Sequence, residues 1–441
     1  MASELSRAQP GEAAGQRARR ASGDRAPSLD GFDRAPVEPT GQPGLGDPGG
    51  LIASLAGAPP AERARVLTGL QRASGNGFVQ RAIADFRRQR GLAPARIPRE
   101  STTVDRVVTA STSGVGEGMS TAPAGPLSDA EVAHAKSWYA ARPGTYTPEI
   151  ITKIQQQVGT SPGGSIDDVT IQAVAKFQQA NPPLWVDGIA GPRTMPAVFP
   201  VGLAKASEVQ GFVKEAKAVQ AEWAKLKSAA DRATALAKAV NEHLAAAGVP
   251  ACKNVVKDLG NDSGQFDFTT WTLFLGQGPF SQATITDKDA ADIADTVFHE
   301  ARHSEQWFMM AQLLAGKGLK AAVIATTMSI PADIATAAAA KPLKKGSTEA
   351  IEAEGWYDSV YGSNADYRNR VLDDVEVKDN ALKKARAEYK KNPTPANEAK
   401  VEAARAQFHA AHKRYTELPE EADAWRVGGA VSAAYLKDGK K

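Results

Sequence analysis

The sequence predicts a mainly α, multidomain protein with a small β-element. Three observations carry that expectation. Apolar residues recur at helical spacing through most of the chain after residue 127. One segment, QFDFTTWTLFLG at 265–276, switches to β-branched and aromatic residues. Gly- and Pro-rich stretches divide the 441 residues into separate blocks.

Residues 1–50 read as a disordered arm, because Gly and Pro recur, as in GQPGLGDPGG, and no periodicity appears. In 51–91, Leu51, Leu55, Leu67, Leu70, Val79, Ile83 and Phe86 return at helical spacing, which predicts a short helical segment. Residues 92–127 are a flexible linker by composition.

A compact module is expected over 128–200. Ser128 with Glu131 forms a capping-box pattern. Ile150, Ile151, Ile154 and Val158 predict a helix over about 148–158, and Val169, Ile171, Val174 and Phe177 another over about 167–180. Asp187-Gly188 and Gly191-Pro192 are turn signals. Residues 201–250 are rich in Ala and Lys and read as a helical connector, a pair of helices or a coiled stretch.

The last block, 251–441, opens on the predicted strand across 266–275, with a further short strand at 282–286. A helix follows from Asp287 to about Ala315. Two charged helices, 376–391 and 395–414, are separated by Asn392-Pro393-Thr394-Pro395, and a final helix opens at Pro419.

The bulk numbers narrow the function. A net charge of +3 argues against nucleic acid as a partner. No run reaches the roughly 18 apolar residues of a membrane span. The single cysteine, Cys252, allows no intrachain disulfide. The first 20 residues are polar and charged, so a conventional signal peptide is not expected.

The chemistry concentrates in His299-Glu300-Ala301-Arg302-His303. Two histidines four apart on a helix project from one face, one turn apart, as two ligands of a single ion must. Glu300 lies beside the first ligand, where a general base is needed. With 6 histidines in the chain, the pattern arises by chance with a probability on the order of 0.01. A third ligand is expected from Leu418-Pro419-Glu420-Glu421. Glu421 is the first choice and Glu420 the second, with His409 and His412 as rivals. Tyr415, Tyr357 and Arg302 are possible electrophiles by residue type alone.

HEARHSEQWF followed by YTELPEEADAWRVG resembles the zincin-like metallopeptidases, which join His-Glu-x-x-His to a downstream Pro-x-Glu-x-x-Ala. The resemblance covers about 255–440. It implies an α+β zincin-like domain, Zn2+ as cofactor, His299, His303 and Glu421 as ligands, Glu300 as catalytic acid/base, and a protein or peptide substrate. The helical insertion between its two halves departs from the pattern and leaves the register of Glu421 open.

Residues 148–198, with Ile154-Gln155, Gly159, Gly164, Asp167, Thr170, Phe177-Gln178 and Val186 through Pro192, resemble the three-helix peptidoglycan-binding domain. That implies peptidoglycan as a partner, or a cell-wall hydrolase. Leu70 through Arg81 resembles a short motif of proteins linked to extracellular contractile injection systems. It implies an effector or toxin carried as cargo of such a particle, made in a bacterial cytoplasm and then extracellular or delivered to a target cell without a signal peptide. The other reading this resemblance opens is a non-catalytic structural component of the particle.

Overall fold

A computed structural model of the chain describes residues 125–259 and 263–437. The expected arm at 1–50, the expected helical segment at 51–91 with the stretch 70–81, and most of the expected linker lie outside the described residues. Within them the protein is mainly helical, with fourteen α-helices and one three-stranded sheet.

The N-terminal block is built by its caps. α1 (Asp129–Ala140) starts at Ser128, whose hydroxyl accepts from the Glu131 N–H while Glu131 accepts from the Ser128 N–H at 2.7 Å. α2 (Pro148–Val158) has Pro148 in its first turn and ends at Gly159, whose φ of 78° is the left-handed conformation glycine adopts without strain. α3 (Asp168–Ala180) starts where Asp167 accepts from the Thr170 N–H. A short α4 (Met195–Val198) follows. Ile150, Ile154, Ile171 and Val174 form the core of this block, each worth about 2 kcal/mol. Two buried glutamines pin the loops. Gln155 donates to Ser165 O and Thr170 Oγ1, and Gln178 accepts from the N–H groups of Asp187 and Gly188.

α5 (Ala206–Ala221) and α6 (Ala229–Ala246) then pack into the core of the C-terminal block, through Phe212, Leu236 and Val240.

The sheet has the order β1-β3-β2, with β1 (Lys253–Lys257) parallel and β2 (Gly264–Asp267) antiparallel to β3 (Thr272–Gly276). The sequence reading put one strand across 266–275. The structure folds that stretch into a hairpin, because Asp267 Oδ1 accepts from the Thr269 N–H at 2.8 Å and Trp271 takes a φ of 56°. β1 was not anticipated, since KNVVK is short and half polar. Residues 282–286 carry no strand. They lead from α7 (Gln277–Ser281) into the next helix.

α8 (Asp287–Gly316) is the central element. A capping box between Thr286 and Asp289 starts it, and nearly every residue from Ala290 to Leu314 is buried. α9 (Ala321–Met328), α10 (Ala332–Ala339) and α11 (Thr348–Val360) pack around it. α12 (Ala365–Lys391) and α13 (Pro395–Thr416) form a long antiparallel hairpin. α12 starts eleven residues before the expected 376. α14 (Pro419–Lys437) returns to lie along α8. No helix among the described residues is long and apolar enough to cross a membrane.

Candidate metal centre

The centre lies where α8 and α14 cross. Their close approach depends on Gly428. A Cβ there would stand 2.2 Å from Asp295 Oδ1 and 3.2 Å from the Cβ of His299. Only glycine lets α14 run this near the histidine turn of α8.

Pro419 starts α14, and the acidic residues Glu420 and Glu421 follow in its first turn, where the helix dipole favours negative charge. That turn points Glu421 at the two histidines. Glu421 Oε2 is 3.8 Å from His299 Nε2 and 3.5 Å from His303 Nε2, and the two Nε2 atoms are 3.2 Å apart. An ion with tetrahedral bonds of about 2.0–2.2 Å sets its ligand atoms roughly 3.3–3.6 Å apart. The triangle therefore fits one divalent cation. Glu421 Oε2 is buried without a hydrogen-bond partner, which leaves its lone pairs aimed at that point.

Neighbours orient His303 and Glu421, whereas His299 Nδ1 is buried without a hydrogen-bond partner. Gln306 Nε2 lies 2.8 Å from the Glu420 backbone carbonyl and 3.0 Å from Asp423 Oδ2. Both partners only accept, so the Gln306 amide is fixed with Oε1 toward His303. His303 Nδ1, 2.9 Å from Oε1, must then carry the proton. In the neutral ring Nε2 is then the atom offered to a metal. Tyr415 hydrogen-bonds the Glu421 carboxylate. Burial, and then the charges of Glu421 and Glu300, push its phenol far above the ordinary tyrosine range, so it stays a donor.

The electrostatics favour a cation. Burial opposes ionisation of Glu421, but His303 and then His299 outweigh it and hold the carboxyl down at about 2. Burial also opposes a charged His303, yet Glu421 pushes it up to about 9. Burial and the neighbouring His303 hold His299 down at about 3. The pocket thus pairs a permanent carboxylate with one positive charge, a proton on His303 that a metal ion would displace.

Beneath the ligands lies a dry ionic network. Arg302 donates to Asp423 at 2.7 Å and to Glu305 at 2.6 Å, and all three side chains are buried. Arg302 is thus part of the scaffold. Glu420, the second choice as ligand, is held by Arg368 at 2.6 Å and is not in the triangle. His409 is exposed, and His412 packs against Trp425 with ring centroids 6.2 Å apart; neither joins the triangle. Tyr357 stacks on Tyr361 in the core of the block.

Glu300 faces the sheet. Its Oε2 accepts from the Phe266 N–H of the edge strand β2 at 2.7 Å. Gly264 allows this approach, since a Cβ there would come within 2.9 Å of Glu300 Cγ. Gln306, Tyr415 and Arg368 carry much of this geometry, and the sequence reading gave none of them such a role. Gln306 had a signal, because it lies three residues beyond His303 on the same helix face. Arg368 had none, being 52 positions from its partner.

No protein-family model matches the chain, and comparison with curated proteins and with solved structures finds no match. What the centre can do rests on its own geometry.

Proposed function

We propose that the protein is a zinc-dependent peptidase. The observation that carries this reading is the buried triangle of His299, His303 and Glu421, with Glu300 one residue beyond the first histidine and held against an edge strand. Two imidazoles and one carboxylate are a donor set suited to Zn2+, and three protein ligands leave a fourth position for reacting groups. A structural site is closed by a fourth protein ligand, and none joins the triangle among the described residues.

Zn2+ held there supplies Lewis-acid chemistry to a peptide carbonyl. The chain's own groups do the rest. Glu300 takes the proton of the attacking water and returns it to the leaving nitrogen. The Phe266 N–H holds Glu300 in place meanwhile. Gln306 fixes the tautomer of His303, and Tyr415 and Arg368 hold the start of α14 so that Glu421 keeps its position. Edge strand β2 offers backbone groups with which an extended peptide can pair.

The finer assignments rest on resemblance. The block at 128–200 is read as a peptidoglycan-binding module, and the segment at 70–81 as a loading motif for a contractile injection particle, which makes the protein a delivered effector. The module is tied to the metal block: Ile351 of α11 sits in its core, and Arg426 of α14 donates to the Pro196 carbonyl at 3.1 Å.

The test is metal analysis combined with a Glu300→Gln variant. One zinc per chain is expected in both proteins, with hydrolysis of an unfolded protein substrate reduced by about 10²–10⁴-fold in the variant. Release of muropeptides in place of protein fragments would make the enzyme a wall hydrolase. Zinc without turnover on either substrate would favour a structural component.

A further inference from the structure

The hairpin helix α13 carries Phe408, His412 and Tyr415 at positions i, i+4 and i+7, which share one helix face. Their rings form a ladder, with centroids 5.7 Å apart from Phe408 to His412 and again from His412 to Tyr415. The ladder ends at the metal centre, where Tyr415 bonds Glu421. α14 supplies the facing wall. Trp425 stands 6.2 Å from His412 and 4.8 Å from the ligand His299.

Trp425 is 42% exposed although it touches a ligand, and Phe408 and His412 are half-buried. Trp is among the side chains that gain most from burial, so an exposed indole beside a reactive centre marks a surface that a ligand covers. The shape narrows the occupant. The ring plane of His412 is inclined 55° to Tyr415 and 73° to Trp425, so the aromatic walls form a corner. A planar or branched apolar side chain entering a corner meets one wall by its face and the other by its edge, an arrangement aromatic rings favour. A sugar ring needs a flat platform, which this is not.

We propose that Trp425 and His412, backed by Phe408, form a substrate subsite that holds a large apolar or aromatic side chain next to the scissile bond. The inference rests on the peptidase reading and adds its selectivity. A chain whose carbonyl lies at His299, His303 and Glu421 has its neighbouring side chain within reach of the Trp425 indole.

Binding without turnover tests it. The zinc-loaded full chain is titrated calorimetrically with N-acetylphenylalanine hydroxamate, N-acetylglycine hydroxamate and chitotriose. The benzyl compound is expected to bind about 10- to 100-fold more tightly than the glycine compound. In Trp425→Ala, with zinc content measured alongside, that ratio is expected to fall to within about threefold of unity. Should Trp425→Ala lose zinc, the same ratio in Phe408→Ala decides. Equal binding of both hydroxamates to the wild type, or a ratio unchanged by the substitution, overturns the subsite and leaves the peptidase reading standing. Chitotriose binding in preference to the benzyl compound overturns it in favour of a glycan surface. If neither hydroxamate binds the zinc-loaded protein, the peptidase reading fails and this inference with it.

Discussion

His303 Nδ1 and Gln306 Oε1 are 2.9 Å apart, and the direction of that hydrogen bond is set by two acceptors on the far side of the amide, Glu420 O and Asp423 Oδ2. The tautomer of a proposed zinc ligand is thus decided by the helix that also supplies the carboxylate ligand. Gln306→Leu removes the acceptor and leaves Nδ1 unpaired. Zinc affinity is expected to drop by about 10- to 100-fold, read by competition with a chromophoric chelator. An unchanged affinity would mean that the amide does not orient the ring.

Metal removal should loosen the contact between α8 and α14. An ion at 100 times its dissociation constant adds about 2.7 kcal/mol to the folded state. Chelation is therefore expected to lower Tm by several degrees in the wild type and to have no effect on Glu421→Ala, which lacks the third ligand. Calorimetry of both proteins with and without chelator makes the comparison.

The Arg302–Asp423 pair is fully buried, so removing one partner strands a charge. Asp423→Ala is expected to cost about 3–5 kcal/mol in urea unfolding. Burial opposes ionisation of Asp423, but Arg302 and then Arg426 hold its carboxyl down at about 2, below the roughly 3.9 of an unfolded chain. The stabilisation is therefore complete above about pH 4 and is lost as pH falls toward about 2. A stability profile across that window in wild type but not in the variant is the expected result.

Asp295 behaves in the opposite sense. Burial, and then the charge of Asp292, raise its carboxyl to about 6. Between about 4 and about 6 the folded state binds the extra proton, so stability falls as pH rises through that window. Asp295→Asn removes the penalty. At pH 7.5 the variant is expected to be more stable by about 1 kcal/mol, after allowance for solvent screening, and equal to wild type near pH 4. Urea titrations at the two pH values would expose a wrong sign directly.

Gly428→Ala places a methyl group against Asp295 and His299. A loss of about 1–3 kcal/mol is expected, accompanied by weaker zinc binding because α14 must move off the histidine turn. A variant that loses stability but binds zinc as the wild type does would show that the movement spares the ligands.

How much of this was legible in the sequence depended on range. Local rules sufficed for the Ser128–Glu131 box, for the helix ends at Pro148 and Gly159, and for the histidines one turn apart on α8. They failed at 265–276, where the turn made by Asp267 interrupts the alternation only at Thr269-Thr270, two β-branched residues that themselves read as strand. For 201–250 they predicted a pair of helices, which α5 and α6 are, but not that Phe212 and Leu236 of these helices are buried in the main core. The sequence ranks Glu421 above Glu420, but the pairing that holds Glu420 away from the histidines, with Arg368, is a contact no local pattern encodes.

The separation between the two crossing helices has a consequence for folding. Arg302 and Asp423 are 121 positions apart, and the whole α12–α13 hairpin lies within that excursion. The chain must close this loop before any contact across it is rewarded, and such high contact order slows folding. An ion bound at the crossing would join the two ends only once the loop has closed, so it would add its binding free energy to the folded state and slow the reopening of the loop. The hairpin, anchored near its base through Arg368 and Tyr415, then becomes a stretch whose length can vary by whole turns without displacing the crossing it spans.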